Sequence, residues 1–421
     1  MKKRTFERVD EKLFIEKLDN GLEVYLYNTK KTKNFYISIS VKYGAKTNSY
    51  KLNNEKYNII NGSAHFLEHK VMALSENTEI SKRINDLGSL ANAWTSYIGT
   101  NYNIFGSINL IENLKLLLDI FYKIDINDKS VEEEKGIICE EIDMEKDNIT
   151  SMMYNTLYKN LFNSSYIRNT IIGEHSDIEK ITSKDLNRIY NDFYVPNNTF
   201  ILVLGDFDNE QVLETIKSYM QIHNINRKTI PKTIKTIEKD YIPIKYDEIK
   251  KDTEDTRILY SLKINKKIFG IKDDNLLLYY LLIIFNCNLS ATSLLYEKYK
   301  NNNIMIDMSY NISIIDDYIA FCIHAFANDG DNFIKNIEKD INKLNITKTE
   351  FNRKKKSYLK KYVMSFENIE DIEYSICYRL FLNNKLDFKE YSLIESMSYD
   401  EARRIIKLIN TNNISIVKVS K

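Results

Sequence analysis

The order of hydrophobic and polar residues predicts alternating strands and helices in the first half of the chain. Residues 22–27 and 36–41 alternate apolar and polar side chains as half-buried strands do, and Asn20-Gly21 supplies a turn before the first. Further segments have the spacing of amphipathic helices or of paired strands. The predicted helices span 63–74, 79–87, 110–122 and 131–145, and the strand pair spans 89–107.

A helix and a short strand end this half. The helix is predicted over 183–194, with Ser183 as its N-cap and Pro196 just beyond its end. The strand is the apolar run 199–204, which Gly205-Asp206 follows. Strands and helices mixed in this order indicate an α+β fold with helices on one face of a sheet.

The helix and strand recur 215 residues later, which indicates an internal duplication. Five polar identities fall in one ungapped register, whereas unrelated units would share only scattered letters. The polar matches pair Ser183 with Ser398, Asp185 with Asp400, Arg188 with Arg403 and Asn197-Asn198 with Asn412-Asn413. We therefore predict two related domains, 1–223 and 241–421, joined by a lysine-rich linker over 224–240.

Composition narrows the class of protein. The 421 residues include 60 Lys+Arg and 59 Asp+Glu, so no basic excess exists for binding a nucleic-acid backbone. The four cysteines form no CxxC pair, which argues against a thiolate zinc site and a disulfide framework. The N-terminus lacks the apolar core of a signal peptide, and the longest apolar run, Leu276–Phe285, is too short to span a bilayer. We expect a cytoplasmic protein without membrane insertion.

The run HFLEH at residues 65–69 is the strongest chemical signal. On a helix, His65 and His69 lie one turn apart on one face, so both imidazoles can reach one metal ion, with Glu68 beside them. About 0.01 such runs are expected by chance with five histidines in the chain. Two buried histidines without a metal are therefore the less favoured interpretation. The opposite side of the helix carries the apolar anchors Leu67, Val71 and Leu74.

A zinc site needs a third protein ligand, and the acidic segment 131–142 offers a carboxylate. Two glutamate pairs have the seven-residue spacing of nearly two helical turns, Glu134 with Glu141 and Glu133 with Glu140. The spacing alone does not distinguish them. An acidic first turn also stabilises a helix, so the run by itself would indicate a solvated face.

These motifs resemble the inverted zinc-binding signature of the M16 (pitrilysin-like) metallopeptidases, a family of inverzincins. HFLEH is followed by Glu141 in the context E-K-x-x-I-x-x-E-I, and further landmarks occur in the family's order. The resemblance covers residues 18–210 well, is weaker in the second half, and suits the short-chain bacterial M16B type. The landmarks are Gly62-Ser63-Ala64, Asn92–Ser96, Thr100, Tyr102, Tyr194–Asn198 and Gly205-Asp206.

The resemblance implies one zinc ion per chain, held by His65, His69 and Glu141. It makes Glu68 and Glu134 the candidate catalytic residues. Glu68 would take a proton from water and pass it to the leaving amine, and Glu134 would orient a ligating histidine. The implied fold is two duplicated domains, each a mostly antiparallel or mixed sheet with helices on one face, which together form half of a clamshell.

The resemblance also implies that an extended substrate pairs with an edge strand that contains Asn92 and Ala93. Such backbone pairing tolerates many sequences, so the natural substrate is not specified. Trp94, the only tryptophan, is expected to pack beside this strand.

One feature of the family is missing. Complete members carry a substrate-holding arginine and tyrosine in the second half, where this chain has Ser293 and Ile306, with Tyr310 nearby. An enclosing chamber needs about four such domains and this chain supplies two. We therefore expect a heterodimer in which this chain is the zinc-bearing subunit, with a homodimer as the second choice.

Two classes of function fit these residues. The first is a zinc endopeptidase that hydrolyses peptides or short unfolded segments in the chamber. The second is a non-catalytic family member that binds peptides or scaffolds a complex. Scaffold relatives usually lose a ligand or the base, whereas His65, Glu68, His69 and Glu141 are all present. The enzyme is therefore favoured.

Overall fold

The computed structural model describes residues 1–72, 79–229 and 231–421. The strands are β1 Lys2–Thr5, β2 Lys12–Lys17, β3 Glu23–Asn28, β4 Phe35–Val41, β5 Ser49–Leu52, β6 Glu55–Asn58, β7 Leu90–Thr95, β8 Thr100–Gly106, β9 Thr199–Gly205, β10 Lys232–Thr233, β11 Tyr246–Lys250, β12 Thr256–Asn265, β13 Asp307–Ile315, β14 Tyr318–Ala327 and β15 Ile414–Ser420. The α-helices are α1 Ser63–Met72, α2 Glu79–Asp86, α3 Leu110–Tyr122, α4 Asp128–Asp147, α5 Ile149–Leu161, α6 His175–Ile178, α7 Ser183–Phe193, α8 Asn209–Ile222, α9 Asp274–Leu289, α10 Leu294–Asn301, α11 Gly330–Asp340, α12 Lys348–Met364, α13 Ile369–Asn383, α14 Glu390–Glu395 and α15 Tyr399–Leu408.

The chain forms two compact units, and each is discontinuous in sequence. The first unit contains Met1–Met144, Asn169–Lys235 and Val363–Lys389, and the second contains Glu145–Arg168, Thr236–Tyr362 and Glu390–Lys421. The helix α13 thus belongs to the first unit, and α5 belongs to the second. The predicted domain boundaries, with a linker over 224–240 between the two duplicated halves, stay a prediction.

The large sheet of the first unit has the strand order β1-β2-β3-β9-β4-β8-β7. Successive side chains on a strand point to opposite faces, and β4 shows this clearly. Ile37, Ile39 and Val41 are buried in the hydrophobic core that α1 and α3 share with the sheet. Ser38 and Ser40 point to the other face, where α13 contacts β4 and β9. The central strands are therefore covered on both sides.

The second unit repeats the central topology of the first. Its sheet has the order β11-β15-β12-β14-β13, which matches β3-β9-β4-β8-β7 strand for strand. Both β9 and β15 pair in parallel with one neighbour and antiparallel with the other. β9 begins at Thr199 and β15 at Ile414, so they differ by the 215 positions found in the sequence (414 − 199). The predicted duplicated α+β fold is confirmed.

The predicted elements of the first half are present with shifts at their ends. One detail is wrong, because the N-cap of α7 is Thr182 and not Ser183. The Thr182 hydroxyl accepts a hydrogen bond from the Asp185 backbone N–H at 3.2 Å, and the Asp185 side chain accepts from Thr182 N–H in return. The predicted anchor Leu74 lies outside the described residues.

Helix α9 contains the longest apolar run. The segment Asp274–Asn301 is long and apolar enough to be compared with a membrane span, and about half of its most apolar stretch is buried. In the structure it is divided near Ser290 into α9 and α10. The 16 residues of α9 cover about 24 Å, less than the roughly 30 Å of a bilayer core. Its buried Phe285 stacks on Phe321 of β14, as in a core helix. The expected absence of membrane insertion and the cytoplasmic location stay predictions.

A buried carboxyl group attaches α13 to the first sheet. Glu373 is 1% exposed, and its Oε1 accepts hydrogen bonds from Nδ2 of Asn101 and Sγ of Cys377, each at 2.9 Å. The same Asn101 amide lies 2.9 Å from Oγ of Ser40, which links β8 to β4. Burial raises the pKa of Glu373, because the charged carboxylate is less stable away from water.

We expect Glu373→Gln to become more stable relative to the wild type as the pH rises. A carboxyl whose pKa is raised on folding contributes stability below its unfolded pKa, and this contribution is lost as the pH rises through the folded value. Glutamine stays neutral and can still accept from Asn101. The measurement is the difference in Tm between variant and wild type at about pH 5 and about pH 8. Glu370→Gln, at an exposed position on the same helix, is the control. An unchanged difference in Tm for Glu373→Gln would contradict the expectation.

Candidate metal centre

Helix α1 positions the two predicted histidine ligands. It begins after Gly62, which has φ +85°, and a Cβ at this position would lie 2.6 Å from the carbonyl oxygen of Ile172. Only glycine suits this left-handed, crowded position. His65 and His69 then lie one turn apart with ring centroids 4.6 Å from each other. The side chains that fix the helix in the core are Phe66, Leu67 and Val71.

Helix α4 supplies the carboxylates. Ile138 is completely buried in the core and turns one face of α4 toward α1. Glu134 and Glu141 lie on this face beside the histidines, whereas Glu133 and Glu140 are exposed. The spacing left two glutamate pairs open. The structure places the pair Glu134 and Glu141 at the histidines, as the family resemblance implied.

Glu141 lies between the two imidazoles. Its Oε1 is 3.7 Å from Nε2 of His65, and its Oε2 is 3.5 Å from Nε2 of His69. Ligand atoms of the three residues lie within 4.8 Å of one another, and no other group of this kind occurs in the part of the chain that the structure describes. The three predicted ligands therefore converge on one point.

This donor set fits zinc. Tetrahedral zinc takes His nitrogen and carboxylate oxygen ligands at about 2.0–2.2 Å, so neighbouring donors lie about 3.3–3.5 Å apart. The distances from Glu141 to the two imidazoles are close to this value. Three protein ligands leave the fourth position for water or substrate, as in catalytic zinc sites.

Glu134 controls the tautomer and charge of His69. Its Oε1 lies 3.0 Å from Nδ1 of His69, so Nδ1 is the donor and Nε2 faces the Glu141 carboxylate. Burial alone would lower the pKa of His69, but Glu134 and Glu141 raise that pKa to about 9. The hydrogen bond with His69 in turn lowers the pKa of Glu134, and Lys70 contributes from 3.6 Å. The carboxylates therefore stabilise positive charge at this point.

His65 occupies a drier environment than His69. It is 8% exposed, and burial together with the neighbouring His69 lowers its pKa to about 4. Its Nδ1 is buried without a hydrogen-bond partner among the described residues. The neutral imidazole that metal ligation requires is thus the favoured form of His65.

Glu68 has the environment of a general base. Its Oε2 accepts a hydrogen bond from Oγ1 of Thr95 at 2.5 Å, which ties α1 to strand β7. Burial raises the pKa of Glu68, and this brings the carboxylate closer to the range in which it can take and return a proton. Sequence reasoning assigned no role to Thr95 or Lys70. Thr95 lies two residues from Ala93, so both side chains are on the same face of β7. This spacing is the sequence signal that predicts a position for Thr95 beside the site.

The predicted substrate strand is at the edge of the sheet. β7 pairs with β8 and is the last strand in the order, as far as the described residues show. Asn92 is exposed, and its Oδ1 accepts a hydrogen bond from the Ala93 backbone N–H at 2.9 Å. The Ala93 N–H therefore bonds to a replaceable side chain and not to β8, so it can bond to another strand.

In the second half, Ser293 and Ile306 occupy the positions where complete family members are expected to carry the arginine and the tyrosine. Ser293 is the N-cap of α10, where its hydroxyl accepts from the Tyr296 backbone N–H at 3.2 Å. The Ile306 backbone N–H donates to the Phe326 carbonyl oxygen at 2.7 Å. Tyr310 lies in β13. Ser293 thus has a local structural role that an arginine could not fill.

The fold is α+β and its donor set fits zinc. Comparisons with known proteins identify the family. A family model described as Insulinase (Peptidase family M16) matches residues 24–175, and one described as Peptidase M16 inactive domain matches 180–358. The chain belongs to the M16 peptidase family, as predicted.

Several relatives agree with this assignment. The uncharacterized zinc protease YmfH of Bacillus subtilis is 28% identical over 75% of this chain and 72% of its own length. The zinc protease PqqE of Helicobacter pylori is 31% identical over 40% of each chain. An M16-like peptidase from Alicyclobacillus acidocaldarius superposes with a TM-score of 0.88, 20% identity, and coverage of 97% of this chain and 98% of the other. The superposition shows a shared fold, and the two relatives named zinc proteases support a peptidase-like function that involves zinc.

We expect Glu134→Ala to weaken zinc binding by about 10- to 100-fold, because the variant removes the group that orients His69. The measurement is a competition titration with a chromophoric zinc chelator. Glu133→Ala is the matched control, since this neighbouring glutamate is exposed on the same helix. Equal zinc affinity in the two variants would show that Glu134 does not support the ligand.

Proposed function

We propose that this chain is a zinc-dependent endopeptidase that hydrolyses peptides or short unfolded segments. The observation that carries the proposal is the convergence of His65, His69 and Glu141 with Glu68 beside them. These residues provide a three-ligand zinc site and a separate carboxylate, which is the minimum that metal-assisted hydrolysis requires.

Zinc bound at this site would lower the pKa of water and polarise the scissile carbonyl group. The side chains supply the remaining steps. Glu68 takes a proton from the attacking water and returns it to the leaving amine, while the Thr95 hydroxyl holds the carboxylate in place. Glu134 keeps the His69 proton on Nδ1, so that Nε2 remains a ligand.

The substrate would bind as an additional strand beside β7. The Ala93 N–H faces the open edge, and an extended peptide would replace the Asn92 amide as its hydrogen-bond partner. Helix α1 contacts β7, so a strand in this place would pass close to the zinc ligands. Asn92 and Ala93 are therefore proposed as substrate-binding positions.

We further propose that the chain acts as the zinc-bearing subunit of a heterodimer with an enclosed chamber, with a homodimer as the second choice. A relative that is 24% identical over 52% of this chain is named mitochondrial-processing peptidase subunit beta, from Caenorhabditis elegans. The fold also superposes on a chain of Complex III2 from Candida albicans with a TM-score of 0.73. Such names support an assembly, and the missing arginine and tyrosine give a reason for one.

A non-catalytic role is the second candidate. The fold superposes on a peptidase M16 inactive domain from Pseudomonas fluorescens with a TM-score of 0.77 and 14% identity. The presence of Glu68 favours the enzyme, because a scaffold has no use for a half-buried carboxylate beside zinc ligands.

Two variants separate zinc binding from catalysis. We expect His65→Ala to lose stoichiometric zinc and peptide cleavage together. Glu68→Gln should retain zinc and lose cleavage by at least about 100-fold, because only the base is removed. His175→Ala, in the same unit but paired with Asp143, is the control for both properties. The measurements are elemental analysis and cleavage of a fluorogenic peptide library. Full cleavage by Glu68→Gln would contradict the mechanism.

The partner proposal has its own test. The chain purified alone should bind zinc but cleave peptides poorly, and addition of an M16-type chain encoded beside it should restore cleavage. Mass measurement by light scattering identifies the assembly in each sample. Full activity of the chain as a monomer would overturn the proposed heterodimer without affecting the zinc site.

A further inference from the structure

Helix α13 exposes two stacked aromatic residues. Tyr374 and Tyr378 are 56% and 42% exposed, and it is their contiguity that is informative. They are one helical turn apart, and their rings stack with centroids 6.0 Å apart and an interplanar angle of 16°. The two rings therefore form one exposed surface in the first unit.

The buried side of α13 fixes the direction of this surface. Glu373 and Cys377 immediately precede the two tyrosines and are bonded to each other and to the sheet through Asn101. Phe381 packs so closely on the β7–β8 turn that a Cβ on Gly99 would lie 2.3 Å from its ring. The helix therefore cannot rotate to cover its exposed tyrosines without disrupting this packing.

Trp94 connects the tyrosines to the edge strand. Its ring centroid is 5.8 Å from that of Tyr374 and 5.8 Å from that of Phe381. Trp94 lies on β7 between Ala93 and Thr95, so its side chain points away from the α1 face and toward α13. Trp94, Tyr374 and Tyr378 are called the aromatic platform below.

A strand added beside β7 would place one side chain on this platform. Residues directly opposite each other in paired strands point to the same face, with Cβ atoms about 4.5–5.5 Å apart. The peptide residue opposite Trp94 would therefore lie against the indole and reach Tyr374. Its two immediate neighbours would point to the α1 face, where Glu68 and Thr95 lie.

We propose that the aromatic platform is a specificity subsite that selects substrates with an aromatic or large apolar residue at the position opposite Trp94. The proposal rests on the proposed function only in taking a β7-paired peptide as the ligand. Rings at this distance attract one another beyond simple burial, and such a contact corresponds to about 3- to 10-fold in affinity. Ring faces also attract cations, so a peptide with Lys in place of Phe is the control, and tighter binding of the Lys peptide would overturn the apolar preference.

Binding can be tested without cleavage because Trp94 is the only tryptophan. Alanine-based peptides that carry one Phe at successive positions are titrated into the zinc-loaded Glu68→Gln chain alone, so that the fluorescence comes from Trp94. We expect Trp94 fluorescence to change with an affinity about 3- to 10-fold higher for one Phe position than for its two neighbours. Equal affinity for every Phe position would overturn the subsite.

Cleavage then tests the tyrosines. The Phe-to-Ala ratio of kcat/KM at that position should fall to near one in Tyr374→Ala/Tyr378→Ala and persist in Tyr374→Phe/Tyr378→Phe. Leu382→Ala, exposed one turn further along α13, should retain the ratio and controls for damage to the helix. A ratio that survives the double alanine change would overturn the proposal while leaving the peptidase intact.

The two proposals fail in different ways. If Trp94 fluorescence depends on the Phe position but no peptide is cleaved, the endopeptidase proposal is wrong and the subsite proposal stands. Cleavage without a preference for Phe at any position would do the reverse. A change in the mass of the double alanine variant by light scattering, with the Phe preference unaltered, would assign the tyrosines to an interface between copies and overturn the subsite.

Discussion

The arrangement of the zinc ligands depends on the packing of α1 and α4 in one hydrophobic core. Ile138 is completely buried on the same face of α4 as Glu141, and Leu67 and Val71 are buried on the side of α1 away from the histidines. Attraction between the charged groups alone would not hold this geometry, because the Glu141 side chain is 41% exposed and screened by water. Apolar contacts therefore set the distances, and the carboxylates adjust the charge.

Strand β7 couples this centre to the rest of the sheet, because alternation gives it two different faces. Ala93 and Thr95 point toward α1, where Thr95 holds Glu68. Trp94 points toward α13, where it meets Tyr374. A peptide paired with the edge would have the same alternation, so chemistry and selection would act on different side chains of one substrate. The alternation of the edge strand therefore determines which substrate side chains face α1 and which face α13.

The sequence was informative where the signal is local. The HFLEH run and the helix periodicity depend only on neighbouring residues, and the repeat is visible from two short segments compared letter by letter. The structure contains the elements that these signals predict. The preference for Glu141 over Glu140 needed the family resemblance, since both have the same spacing from a second glutamate. The N-cap of α7 is Thr182 and not the predicted Ser183, because Thr182 and Asp185 form a capping box whose Thr-x-x-Asp spacing is visible in the sequence. The contacts of α13 with the first sheet join residues more than 270 positions apart, and no periodicity encodes such a partner.

The duplicated topology shows how one half can lack the chemistry and keep the fold. The repeat offset of 215 carries His65, Glu68 and His69 onto Tyr280, Ile283 and Ile284, which lie in α9 and are buried. In the first unit, the corresponding helix α1 carries polar side chains at these positions, so it buries less apolar surface there. In α9 the same positions join the core, where burial of each large aliphatic side chain contributes about 1.5–3 kcal/mol. A half that carries no metal motif can thus bury more apolar surface at these positions while it keeps the same strand order.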